Sequence, residues 1–232
     1  MPMDVIEALR TRQSCRRFTT EPVPQEVIRQ ILDAARWSPS GSNIQPWYVH
    51  VMTGQVLQDL INKVQAQDHL FPRGEGAEYA VHPPNLKEPY NRRRIDCAVD
   101  MYKSVGVGRD DRAGRVQQFV DNYQFFGAPV GLVFTLDRTM DVGHWGDVGM
   151  FIQSIMLAAR SHGLHTCPQQ AWISWPKTIA EHLNIPDEHM IYCGMALGHM
   201  DHDHPINNWR TDRQEVEEFT TFLGFDDATQ SR

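Results

Sequence analysis

Apolar residues recur along this chain with two periods, and the changes of period mark its elements. Val5, Ile6 and Leu9 repeat at helical spacing behind Asp4 and Glu7, a pair of the capping-box kind, and predict a first helix to about Thr11. Pro22-Val23-Pro24 interrupts the chain. Pro24 suits the first position of a second helix, on which Val27, Ile28, Ile31, Leu32 and Ala35 form one apolar face. That helix runs to Trp37 and stops before Pro39, because a residue ahead of proline avoids helical geometry. Trp47 to Met52 predicts a strand with Thr53-Gly54 as its turn, and a third helix covers about Gln55 to Ala66. Arg92 to Lys103 and Asp111 to Tyr123 predict two more helices, and Pro129 to Leu136 a buried strand. Trp145 to Ser161 is the longest helix and is apolar almost all round, so it is buried in the body or in a subunit interface. Ser174 and Pro176 open a short helix through Leu183, Met190 to Gly198 reads as a central strand, and a last amphipathic helix spans about Gln214 to Phe222.

Two stretches keep neither period. From Gln67 to Asn91 four prolines (Pro72, Pro83, Pro84, Pro89), glycines and charges replace any repeat, and an irregular segment of that length is usually functional or mobile. Ser38 to Trp47 is a polar loop clamped between helix and strand; such a loop sets hydroxyls, amides and bare N–H groups on a rigid frame, although an ordinary connection would look alike. The order of elements predicts an α+β fold: an α-β-α sandwich on a small mixed central sheet, one domain over residues 1–232 with an insertion at about 67–91.

With 232 residues, 41% hydrophobic and 22% charged, the chain can bury a sizeable core. A net charge of −7 argues against a nucleic-acid or acidic-membrane partner. No apolar run approaches the roughly 18–20 residues of a membrane span, and Met-Pro-Met-Asp-Val has neither the basic nor the apolar part of a secretory signal. Cys15, Cys97, Cys167 and Cys193 are scattered with no C-x-x-C pair, which fits reduced cytoplasmic thiols better than disulfides or a zinc site. His199-Met200-Asp201-His202-Asp203-His204 offers metal-ligand types without a distant partner set, so no metal is expected. Gly106-Val107-Gly108 lacks a third glycine and a preceding strand, so no dedicated dinucleotide domain is expected.

The remaining signals are local. Arg12-Gln13-Ser14-Cys15-Arg16-Arg17-Phe18 places cations beside a hydroxyl, and Pro39-Ser40-Gly41-Ser42-Asn43-Ile44-Gln45-Pro46-Trp47 follows about twenty residues later. Together, R-x-S-x-R-x-F and P-S-x-x-N-x-Q-P-W resemble the N-terminal signature of the FMN-dependent nitroreductase family. The resemblance continues through Thr166-Cys167-Pro168-Gln169-Gln170-Ala171-Trp172 and Asn208-Trp209-Arg210-Thr211-Asp212-Arg213, the latter like the nitrobenzoate and nitroaromatic reductase branch. It implies an intertwined homodimer with an FMN at each end of the interface, and two-electron ping-pong reduction of a nitroaromatic by NAD(P)H. On the same ground Arg12, Gln13, Ser14 and Arg213, helped by Arg210, would meet the phosphate and ribityl chain, and Arg16 the pyrimidine edge. Pro39, Ser40, Gly41 and Asn43 would reach the flavin from the other subunit. Pro168, Gln169, Gln170 and Ala171 would pack by its N5 edge, with Arg16, Gln170 and Ala171 at the reacting edge, and the insertion would cover the mouth of the site. Arginine stands at 16 where the family often has lysine, and Gln170 replaces the glutamate of some members, so no acidic role is assigned there. Two alternatives stay open. One is a reductive dehalogenase of the same fold, since Glu78, Tyr79 and Lys87 are types that hold an amino-acid zwitterion; the other is a flavin-binding protein without turnover.

Overall fold

The computed structural model describes residues 3–225, so the outermost residues of the predicted 1–232 domain lie outside the described residues. The Asp4 carboxylate accepts from the Ile6 and Glu7 amides and starts α1 (Val5–Thr11). Past Pro24, α2 (Gln25–Ala35) buries Ile28, Ile31 and Ala35. Strand β1 (Tyr48–Thr53) leads directly into α3 (Gly54–Gln65); Gly54 takes φ 54° and makes the corner. Helices α4 (Tyr90–Ser104) and α5 (Arg112–Val120) bury no residue. Then follow β2 (Val130–Asp137), α6 (Val142–Ser161), β3 (His165–Gln169), α7 (Pro176–Leu183), β4 (His189–Gly198) and the single turn α8 (Val216–Phe219).

The sheet order is β1-β2-β4-β3, and every strand pair is antiparallel. The sheet is therefore not mixed as expected. Helix α6 returns the chain in the direction of β2, so β2 and β3 run the same way, but β4 lies between them and antiparallel to both; among the described residues, parallel pairing enters only at an isolated bridge, Ser14 to Thr166. Both faces are covered. Val130, Leu132, Phe134 and Leu136 of β2 join a core with α2 and α6, while Val133 joins a second core with α3, Trp172 and Trp175. Gly194 of β4 lies under the Trp172 ring, where a Cβ would stand 2.3 Å from Cδ1, so no larger residue fits. Helix α6 turns Val148, Phe151, Ile152 and Ile155 onto its own sheet and leaves Met150 exposed.

Two predicted elements shorten, and one strand appears that was not predicted. Helix α5 stops at Val120, because Tyr123 and Phe125 are drawn into the second core, Phe125 stacking on Trp172 at 4.3 Å with φ 47°. β3 was not predicted as a strand. The last helix shrinks to Val216–Phe219, since Val216, Phe219, Phe222 and Leu223 are all exposed and have no surface to pack on.

The insertion is irregular as expected, but its first half is fastened down. Glu75 accepts from the Lys177 and Thr178 amides at 2.9 and 3.1 Å and from the Thr178 hydroxyl at 2.6 Å, and so caps α7. Glu78 accepts from the Ile191 amide at 2.8 Å and from Arg138. The register slips between Phe134 and Thr135, leaving Tyr192 without a cross-strand partner, and its carbonyl accepts the Tyr79 hydroxyl instead. Beyond Tyr79 the insertion is almost wholly exposed up to α4.

Candidate functional site

After α1 the chain runs extended beside β3: the Cys15 amide donates to the Thr166 carbonyl at 3.0 Å, next to the Ser14–Thr166 bridge. Cys15 is fully buried, and burial pushes its thiol up to about 12, which makes it an anchor and not a nucleophile. A second clamp comes from the loop beyond β4. Buried Asn207 accepts from the Arg16 amide at 2.9 Å, donates to the Arg17 and Asp201 carbonyls at 2.8 Å, and offers its own carbonyl to Gln13 Nε2 at 2.8 Å. The tail then folds back. Arg210 donates to the carbonyls of Arg10 and Arg12, and the Arg16 guanidinium lies 5.8 Å over the Trp209 ring. Neither Asn207 nor Trp209 was singled out from the sequence; Asn208-Trp209 inside the tail motif was the signal that could have found the second.

Six predicted residues thereby meet in one cleft of about 700 Å³: Arg12, Gln13, Ser14, Arg16, Arg210 and Arg213. Leu9 and Arg10 of α1, Cys97 of α4, Gln153 of α6, Trp209 and Thr211 complete its walls. Among the described residues none of the five arginines pairs with a carboxylate, and no acid or histidine lines the cleft. Burial, then the like charges of Arg213 and Arg210, lower the Arg12 pKa, so these cations repel one another until an anion enters. Nη1 of Arg213 donates to the Thr211 and Asp212 carbonyls at 3.1 and 2.8 Å, which fixes its fork beside the cleft. Such a site can grip a phosphate by forked hydrogen bonds.

The other two predicted groups do not line this cleft. Pro168 and Gln169 end β3, and Gln170 and Ala171 begin the turn that follows it. Gln170 is exposed, whereas the Gln169 amide points inward and donates to the Asn122 carbonyl at 2.7 Å. Pro39, Ser40, Gly41 and Asn43 lie on α6, where the Gly41 amide donates to Asp147 Oδ2 at 3.2 Å. Within that loop Ser42, Asn43 and Gln45 all take left-handed φ, 50°, 57° and 53°, each costing on the order of 1 kcal/mol or more. The histidine run after β4 does not converge: His199 faces Glu21 at 3.4 Å, the His202 ring meets His165, and His204 accepts from the Ile206 amide.

Residues 9–199 match the family model described as Nitroreductase family. A chloronitrobenzene nitroreductase of Comamonas testosteroni is 37% identical over 217 residues, 94% of this chain and 96% of that one. A 4-nitrobenzoate reductase of Pseudomonas putida is 37% identical over 93% of this chain and 94% of its own. The crystal structure of the FMN and NADPH-dependent nitroreductase NfnB from Sphigopyxis sp. strain HMH superposes with a TM-score of 0.93 at 38% identity, over 96% of this chain and 100% of that one. The chain belongs to the nitroreductase family.

Proposed function

We propose that the arginine cleft holds the phosphate of FMN and that the protein reduces nitroaromatic compounds with NAD(P)H. The observation that carries this reading is the set of five arginines, with no carboxylate among them, brought to one cleft from residues about 200 apart. The fit is chemical: clustered like charges attract an anion, and phosphate offers acceptors for several forks at once. Arg12, Ser14 and Arg213 grip the phosphate and ribityl chain, with Gln13 and Arg210 behind them. Arg16, steadied by Trp209, sets a positive charge at the pyrimidine edge. Pro168, Gln170 and Ala171 flank the N5 edge and Gln169 braces them from inside. Bound FMN would supply the two-electron hydride chemistry; the chain's residues bind, orient and polarise. The substrates alternate at one face, so neither needs a separate nucleotide domain.

The full site takes two chains in this reading, because Pro39, Ser40, Gly41 and Asn43 lie away from the cleft of their own protomer. Exposed apolar side chains at both ends of the chain (Val5, Ile6 and Leu9; Phe219, Phe222 and Leu223) and Met150 on α6 support a homodimer that covers them. The whole chain acts as one FMN-binding unit, with 67–91 bordering the acceptor. Four free thiols support a reducing, cytoplasmic setting, and no described helix is long and apolar enough to cross a membrane. The dehalogenase alternative is the weaker, since Glu78 and Tyr79 are already engaged by Ile191, Arg138 and Tyr192.

The test is a visible spectrum of the purified protein, followed by NADPH and NADH oxidation with 4-nitrobenzoate, nitrobenzene and iodotyrosine. A flavin spectrum and nitro-dependent coenzyme oxidation are expected. A colourless protein that FMN does not reconstitute would overturn the reading.

A further inference from the structure

Asp147 has no part in the roles proposed so far, yet it is a carboxylate on a central helix with a side chain only 8% exposed. A buried carboxylate is kept only where donors satisfy it. Two do, both on Oδ2: the Gly41 amide at 3.2 Å and Nδ1 of His144, one turn earlier on α6, at 2.9 Å. The loop it holds is the strained one, with Ser42, Asn43 and Gln45 left-handed. Two further contacts fix the same loop: the Ser38 and Ser154 hydroxyls lie 2.7 Å apart, and the Gln45 amide donates to Ser40 Oγ at 2.9 Å. Left-handed backbone at non-glycine residues persists only where its surroundings over-determine it. Asp147 supplies that constraint from the helix, and nothing it touches belongs to the cleft of its own protomer.

We propose that Asp147, oriented by His144, is a positioning residue that acts in trans, setting the Pro39–Asn43 loop against the FMN bound by the partner subunit. The inference rests on the shared flavin site of the preceding reading. Removing the carboxylate frees the Gly41 amide and lets the strained turn relax, so the loop no longer presents its polar groups in the bound geometry. An asparagine in its place would keep one acceptor for Gly41, whereas alanine keeps none.

The variants are therefore Asp147→Asn and Asp147→Ala, assayed for FMN dissociation constant, visible circular dichroism of the bound flavin, and thermal midpoint. Asp147→Ala is expected to weaken FMN about tenfold and change the flavin dichroism, and Asp147→Asn to restore most of both. If Asp147→Ala does not fold, the part-exposed His144→Ala takes its place, with about threefold weakening expected. Unchanged affinity and dichroism in whichever variant folds overturns the proposal. The trans arm uses a heterodimer of one Asp147→Ala chain and one Arg213→Ala chain, purified through two different tags. One site then joins an intact cleft to an intact loop, so half of the flavin should bind with wild-type affinity. Two weakened sites, with none of wild-type affinity, would place the loop's action within its own protomer and overturn the trans role. A wild-type protein that binds no FMN would instead sink the functional reading itself.

Discussion

At the scale of single residues, the site depends on a few fixed cations. Arg213 has its fork set by the Thr211 and Asp212 carbonyls, so little conformational freedom is lost when it meets a phosphate. A charged hydrogen bond of this kind contributes roughly 1.5–3 kcal/mol, and Arg213→Ala should weaken FMN about 10- to 100-fold in a fluorescence titration. In the proposed site Arg16 has a different task. A cation at the pyrimidine edge favours the reduced, more negative flavin over the oxidised one, so Arg16→Met should lower the two-electron midpoint. A loss of about 1.4 kcal/mol corresponds to about 30 mV, measurable by a dye-linked redox titration; an unchanged midpoint in a flavin-loaded variant would make Arg16 a surface charge. These arginines were legible in the sequence because they stand in motifs that resemble the family's; their type and spacing alone fit a solvated basic patch as well. Asn207 was not, because its value lies in reaching the Arg17 carbonyl across 190 residues, and one asparagine among many carries no mark of that.

At the scale of elements, the insertion divides into a fastened half and a free half, and the two should respond differently to change. Glu75→Ala removes the cap of α7 and should cost about 1 kcal/mol in urea unfolding, the usual cost of a lost helix cap. Shortening the exposed stretch between Tyr79 and Pro89 should leave stability and FMN content near wild type and reorder the preference among acceptors. Flavin loss with an unchanged ranking would remove the insertion from acceptor choice. Long periodic elements such as α2, α3 and α6 were readable because propensity and burial agree in them. β3 was not: His165-Thr166-Cys167-Pro168-Gln169 contains three polar residues and a proline, and a strand tolerates that proline only at an edge of the sheet. Nor was the true extent of the last helix, whose apolar face promises a partner surface that its own protomer lacks.

At the scale of the whole molecule, the joint between α6 and β3 makes stability sensitive to acid. Burial, then the charge of Arg160 and the nearby His202 and His199, holds His165 at about 4 against an ordinary 6.5. The unfolded chain then binds a proton in a range where the folded one does not. Stability from this group is complete above pH 6.5, falls as the pH drops from 6.5 to 4, and levels off below. Urea unfolding across that range should show the loss, and His165→Asn should flatten it. Sedimentation of the flavin-loaded protein should give a dimer; a monomer that keeps its flavin would break the shared site. The fold-back of the tail also bears on synthesis. The cleft joins Arg12 to Arg210, which lays its guanidinium on the carbonyls of Arg10 and Arg12, positions 200 and 198 residues earlier in the chain. On a ribosome, which makes the chain in order, all four strands exist before the second wall of the cleft does. A nascent chain stalled after β4 can assemble its sheet but has only half of the grip on FMN. If the cleft holds FMN as proposed, cofactor loading waits for the tail, and a yellow protein would report that translation has passed Arg213.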